Sequence, residues 1–141
     1  VADEIDNRVT DGIDDAALAA ANGAFYHALE TGDLELMSRL WSDSEDVSCA
    51  HPGRAPIVGA GAVRASWAAI FAAGGNPQII ATEERVMRRG TIGWVTITEN
   101  LISGVHTGAA SAINVFEYDG GRWRMVAHHA APVLAPNPGP V

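Results

Sequence analysis

The chain has 141 residues, 48% of them hydrophobic, and a net charge of −8. That length suits one domain with a self-sufficient core, and the apolar content argues against a disordered chain. The acidic balance sets nucleic acid and anionic membrane aside as partners, and no apolar run approaches the roughly 20 residues that span a bilayer.

Residues 1–13 are acidic and without a clear period, as in a loose arm. Asp14 or Asp15 can then cap a helix whose Leu18, Ala21, Phe25, Ala28 and Leu29 fall on one face, with Gly32 as its stop. Asp33 can cap a second, short helix with Leu36, Met37, Leu40 and Trp41 as its apolar side. Val47-Ser48-Cys49 reads as a short strand entering the turn His51-Pro52-Gly53. Gly59 to Ala73 reads as a third helix with Val63, Trp67, Ile70 and Phe71 buried. Gly74-Gly75-Asn76-Pro77 breaks it, and strands are expected at about 78–88, 92–102, 107–118 and 122–131. The tail from 133 to 141 is Pro-rich and should be extended or disordered. Helices first and antiparallel strands afterwards make an α+β domain over 14–132, a curved antiparallel sheet wrapped around three helices with a pocket at its open end.

The last two strands can be put in register from the sequence. Gly120-Gly121 is a two-residue loop of the kind that supplies positive φ in a tight hairpin. Regular pairing sets Tyr118 against Trp123, Phe116 against Met125, Asn114 against Ala127 and Ala112 against His129. Alternation then puts Asn114, Phe116 and His129 on the inner face, and Ile113, Val115, Val126 and His128 on the outer one. An apolar wall with a few polar groups is how small-molecule pockets are lined.

Together, several segments resemble the SnoaL-like group of the nuclear transport factor 2-like superfamily. These are Phe25-Tyr26-His27-Ala28-Leu29-Glu30-Thr31-Gly32-Asp33, Leu40-Trp41-Ser42-Asp43, His51-Pro52-Gly53, the run from Gly59 to Trp67 and the ending from Gly121 to His129. The resemblance implies a cone-shaped α+β barrel that often forms a homodimer through the outer face of its sheet. Members include ketosteroid isomerases, polyketide cyclases, dehydratases, epoxide hydrolases and non-catalytic scaffolds. The ending also looks like the association domain of calmodulin-dependent kinase II. In ketosteroid isomerase a catalytic Asp precedes Pro shortly before the third helix, and here His51-Pro52 stands in that place.

His51 and His129 are the candidate acid/base residues, because imidazole exchanges a proton near neutrality. His51 could equally fix the turn before the third helix through a backbone hydrogen bond. His129 and Asn114 could be structural partners or could hold a ligand oxygen together. Glu99 shares a face with Val95, Ile97 and Leu101; it is a buried carboxylate if that face is inner and a solvated charge if Trp94, Thr96 and Thr98 face inward. Tyr26, Trp41, Trp67 and Phe116 complete the candidate ligand contacts, although Tyr26, Trp41 and Trp67 lie at a helical spacing that is more often core. No His or Cys spacing supports a metal site, and no cofactor is implied. The single Cys49 excludes an intramolecular disulfide framework. With no Lys and much Ala and Gly, the composition suggests a GC-rich bacterial coding sequence, and a cytoplasmic location is the default. The expected function is proton transfer on a hydrophobic, oxygenated small molecule by an isomerase, cyclase or dehydratase. The alternative is a non-catalytic binding or assembly module of the same fold.

Overall fold

The computed structural model describes residues 13–74, 76, 78–103 and 106–134. Residues 1–12 of the acidic arm, residues 135–141 of the tail, and the breakers at 75, 77, 104 and 105 lie outside the described residues. Helix α1 spans Asp15–Thr31 and α2 spans Leu34–Leu40. The Asp14 carboxylate accepts from Ala17 N–H and that of Asp33 from Leu36 N–H, so each helix start has one otherwise orphaned donor satisfied. Strands β1 (Ser48–Ala50) and β2 (Ile57–Val58) precede α3 (Ala60–Ala72). Four long strands follow: β3 (Gln78–Arg89), β4 (Ile92–Ser103), β5 (His106–Asp119) and β6 (Arg122–Pro132).

The strands form one curved sheet in the order β2-β1-β6-β5-β4-β3. It is mostly antiparallel, as expected, but β1 lies parallel to β6, with Cys49 opposite His128, so the sheet is mixed. The chain can make this pairing because β2, α3 and strands β3 to β5 lie between the two segments, leaving ample chain for a crossover. Strand β2 is an additional element that two residues of sequence were too short to signal. Two irregularities curve the sheet. One lies in β3 between Thr82 and Arg85, where Glu83 adopts φ 56°. The other lies in the last hairpin, next to Val115. Extra residues on one strand bend it and increase its twist.

The concave face packs on the helices. Leu18, Phe25 and Ala28 of α1, Met37 of α2, and Val63 and Trp67 of α3 meet Val95, Ile97, Ala112, Phe116 and Met125 of the sheet. This layer removes apolar surface from water on both sides at once, at about 25 cal/mol per Å².

The hairpin corrects one expectation. Gly120 and Gly121 take φ 61° and 84°, as a two-residue primed turn requires, and Tyr118–Trp123, Glu117–Arg124 and Phe116–Met125 pair as expected. Beyond Phe116 the register slips by one: Val115 faces Ala127, Asn114 faces His128, Ile113 faces His129 and Ala112 faces Ala130. Val126 is the extra residue. A one-residue slip turns every later side chain to the other face. His128 is therefore the inward histidine, and His129 leaves the cavity side for the outer face, where its Nε2 lies 2.7 Å from Ser48 Oγ.

Candidate functional site

The site is built around a chain of buried polar side chains reaching from the middle of the sheet to α1. Val95, Ile97 and Glu99 share the inner face of β4, and Glu99 is only 3% exposed. Its Oε2 accepts from the Tyr26 hydroxyl at 2.7 Å. Asn114 Nδ2 donates to the Tyr26 oxygen at 3.0 Å and to Asn22 Oδ1 at 2.8 Å. Asn114 Oδ1 lies 2.6 Å from His128 Nδ1. Asn22 and Tyr26 are four residues apart on α1, so one helix face presents both to the same strand pair.

The network assigns its own protons. Both amide hydrogens of Asn114 are committed, so its oxygen must accept, and His128 must carry its proton on Nδ1. Nε2 of His128 is then a bare lone pair. The single hydroxyl proton of Tyr26 is given to Glu99 Oε2, so any proton that Glu99 itself binds resides on Oε1. Among the described residues, only Trp41 Nε1 and Trp67 Nε1 are both sealed from the surface and unpartnered. Glu99 Oε1 and His128 Nε2 thus open onto space.

That space is a cavity of about 210 Å³ lined by Leu29, Trp67, Ile70, Ile79 and Leu101, with His51, Glu99 and His128 as its titratable groups and Pro52 at its edge. The apolar wall dictates the electrostatics. Burial raises the Glu99 carboxyl above the ordinary carboxylate range, against the smaller opposing effect of the Tyr26 hydrogen bond. Among the described residues no basic side chain pairs with it. Burial, with the neighbouring His51 and His129, pushes His128 down to about 3, so its ring is neutral. His51 is lowered by burial first and by Arg54 second. Its Nε2 lies 2.5 Å from Ser66 Oγ on α3, and its ring meets Trp67 edge-on at 4.7 Å. Cys49 lies beside this group, its sulfur 3.9 Å from His51 Nε2, but burial pushes its thiol up to about 12 and keeps it protonated.

Residues 18–135 match the sequence model of the SnoaL-like domain. The chain belongs to the SnoaL-like family. A dehydratase candidate of the nuclear transport factor 2-like family from Streptomyces avermitilis is 38% identical to this SnoaL-like chain, with a TM-score of 0.81 over 87% of this chain and 98% of its own. A candidate calcium/calmodulin-dependent protein kinase type II association domain from Thiobacillus denitrificans is 35% identical, with a TM-score of 0.75 over 82% of this chain and 94% of its own. The F-box protein SKIP8 of Arabidopsis thaliana is 32% identical over 120 residues, 84% of this chain and 50% of that protein. The SnoaL-like chain therefore spans about half the length of that curated relative.

Of the residues singled out in this SnoaL-like sequence, His51, Trp67 and Glu99 line the cavity. Tyr26 and Asn114 stand behind it and hold Glu99 and His128 in place. Trp41 and Phe116 are fully buried in the core and do not line the cavity; Trp41 bridges to Met125, and Arg64 of α3 donates to its carbonyl. His129 is excluded by the slipped register. Sequence reasoning missed His128 and Asn22. Asn22 had a signal, since it lies four residues after Leu18 and four before Tyr26 on the buried stripe of α1.

Proposed function

We propose that the cavity is the site of an acid/base enzyme acting on a hydrophobic, oxygenated small molecule. The observation that carries this reading is Glu99: a carboxyl almost sealed in an apolar cavity, with no cation paired to it among the described residues, one oxygen tied to Tyr26 and the other open to the space. Burying such a group costs stability, and its raised pKa brings it towards the range where a general base works best. The similarity to a dehydratase candidate favours elimination of water among the isomerase, cyclase and dehydratase chemistries. Glu99 takes a proton from the carbon beside a substrate carbonyl. The electrons of that C–H bond form the new double bond as the C–O bond of the neighbouring hydroxyl breaks. The same proton passes from Glu99 Oε1 to the departing oxygen, so water leaves and the carboxylate is restored. His128, held neutral, accepts a hydrogen bond from the substrate hydroxyl and orients it. His51 at the edge of the cavity is the second group able to carry a proton.

The test starts with mass spectrometry of the purified protein for a co-purified molecule. A panel of β-hydroxy ketones in deuterated water, followed by NMR, then reads both exchange beside the carbonyl and loss of water. Glu99→Gln is expected to lower either rate by a factor between about a hundred and ten thousand. Tight binding without exchange or conversion in the wild type, or full turnover by the variant, would sink the reading.

Association favours a second role beside the first. The outer face of the sheet exposes Ile113 and Ile92, with Trp94 and Val115 half-buried between them. A homodimer would cover this strip in either an enzyme or an assembly module. Sedimentation velocity is expected to give a dimer for the wild type and a monomer for Ile113→Asp; a monomeric wild type at tens of micromolar rejects the role.

A further inference from the structure

The turn that carries His51 also carries a cation. Pro52 and Gly53 occupy its central positions, Gly53 with φ 77°, and Arg54 N–H donates to the His51 carbonyl at 2.9 Å. Pro supplies the first central residue and Gly the positive φ of the second. Arg54 lines a second cavity of about 540 Å³, together with Ile57 of β2 and Ser66, Ala69 and Ala73 beside or on α3. His51 and Ile70 line both cavities, so the two spaces adjoin along these side chains.

Charge divides cleanly between them. Glu99 is the acid of the inner cavity, and Arg54 is the ion of the outer one. Arg64 and Arg88 are paired with Asp43 and Asp15, whereas the Arg54 side chain is exposed and has no partner among the described residues. Its planar fork offers parallel donors that match a carboxylate. Glu99 repels a second anion from the inner cavity, so a molecule with one charged end has a single favourable orientation along the two adjoining spaces.

We infer that the substrate is an amphipathic monoanion, with its apolar, oxygenated body in the inner cavity beside Glu99 and a terminal carboxylate held by Arg54 in the outer one. This rests on the reading of the inner cavity as a ligand site. Arg54 then sets both affinity and direction of entry, while the proton chemistry stays with Glu99.

Calorimetric titration with octanoate and with 1-octanol, matched in chain length and different in charge, tests it. Octanoate is expected to bind the wild-type chain about fivefold or more tightly than octanol at low ionic strength, the gain of a charge-assisted contact. Arg54→Ala removes that difference, Arg54→Glu reverses it, and octanol binds all three proteins alike. Raising salt to about 0.5 M shrinks the octanoate advantage in the wild type alone. Because the Arg54 side chain makes no hydrogen bond or ion pair among the described residues, unchanged melting temperatures check that both variants fold. Equal octanoate affinity in the wild type and Arg54→Ala overturns this inference and leaves the inner cavity as a ligand site. Failure of both octanoate and octanol to bind the wild type overturns the two together.

Discussion

Replacing Asn114 by Ala is expected to lower the unfolding free energy by about 3 kcal/mol or more, read from urea denaturation at neutral pH. Asn114 is fully buried, and its amide hydrogen-bonds Asn22 and Tyr26 of α1 on one side and His128 on the other. Its removal leaves Asn22 Oδ1 and His128 Nδ1–H without partners, and a buried polar group left unsatisfied costs about 1–3 kcal/mol. The lost side-chain volume adds a cavity cost. Tyr26 keeps its bond to Glu99, so the damage is centred on the junction of α1, β5 and β6 and not on the carboxylate. A loss below about 1 kcal/mol would show that water replaces the amide, and the account of Asn114 as the keystone of the site would be wrong.

Acid is expected to destabilise the protein through His128. In the unfolded chain this imidazole titrates near 6.5; in the fold it is held down to about 3, mainly by burial. Its stabilising contribution is therefore complete above about 6.5 and is lost as pH falls towards 3, at up to about 1.4 kcal/mol per pH unit. His51, also lowered, acts with the same sign. Glu99 acts against both: its folded pKa is raised, so the folded state binds that proton first and gains stability as pH falls into the ordinary carboxylate range. The comparison that isolates His128 is the difference between the wild type and His128→Gln, whose amide can still donate to Asn114. That difference should shrink steadily from pH 6.5 to pH 4, by roughly 1 kcal/mol or more per unit at its steepest. Parallel stability curves for the two proteins would rule out a neutral, acid-resistant His128.

Local signals in the chain account for most of the fold. Asp14 and Asp33 start helices because a carboxylate satisfies the first free amides, and Gly120-Gly121 turns the last hairpin because two positive φ values are needed there. Alternation along β4 reduced Glu99 to two possibilities, and the order of helices before strands placed a pocket at the open end of the curved sheet. Each of these signals is carried by residues within a few positions of one another, where steric preference and hydrogen-bond geometry act directly.

The candidate site depended on contacts that no local pattern contains. Tyr26 and Glu99 are 73 positions apart, and Asn22 and Asn114 are 92. Only the packing of α1 across the sheet brings them together and removes the water that would otherwise solvate Glu99. The slip beside Val115 was silent for a more particular reason. Val126 and Ala127 are both apolar, and the next two residues are both histidines, so a shift of one position places a histidine inward in either register. The sequence by itself thus determined an inward histidine, an α+β SnoaL-like frame and a carboxylate on the apolar face of a strand. Tertiary structure decided that the histidine is His128, that Asn114 sets its proton, and that Glu99 meets it in one cavity, because register, burial and pKa are set by the free energy of the whole packed sheet.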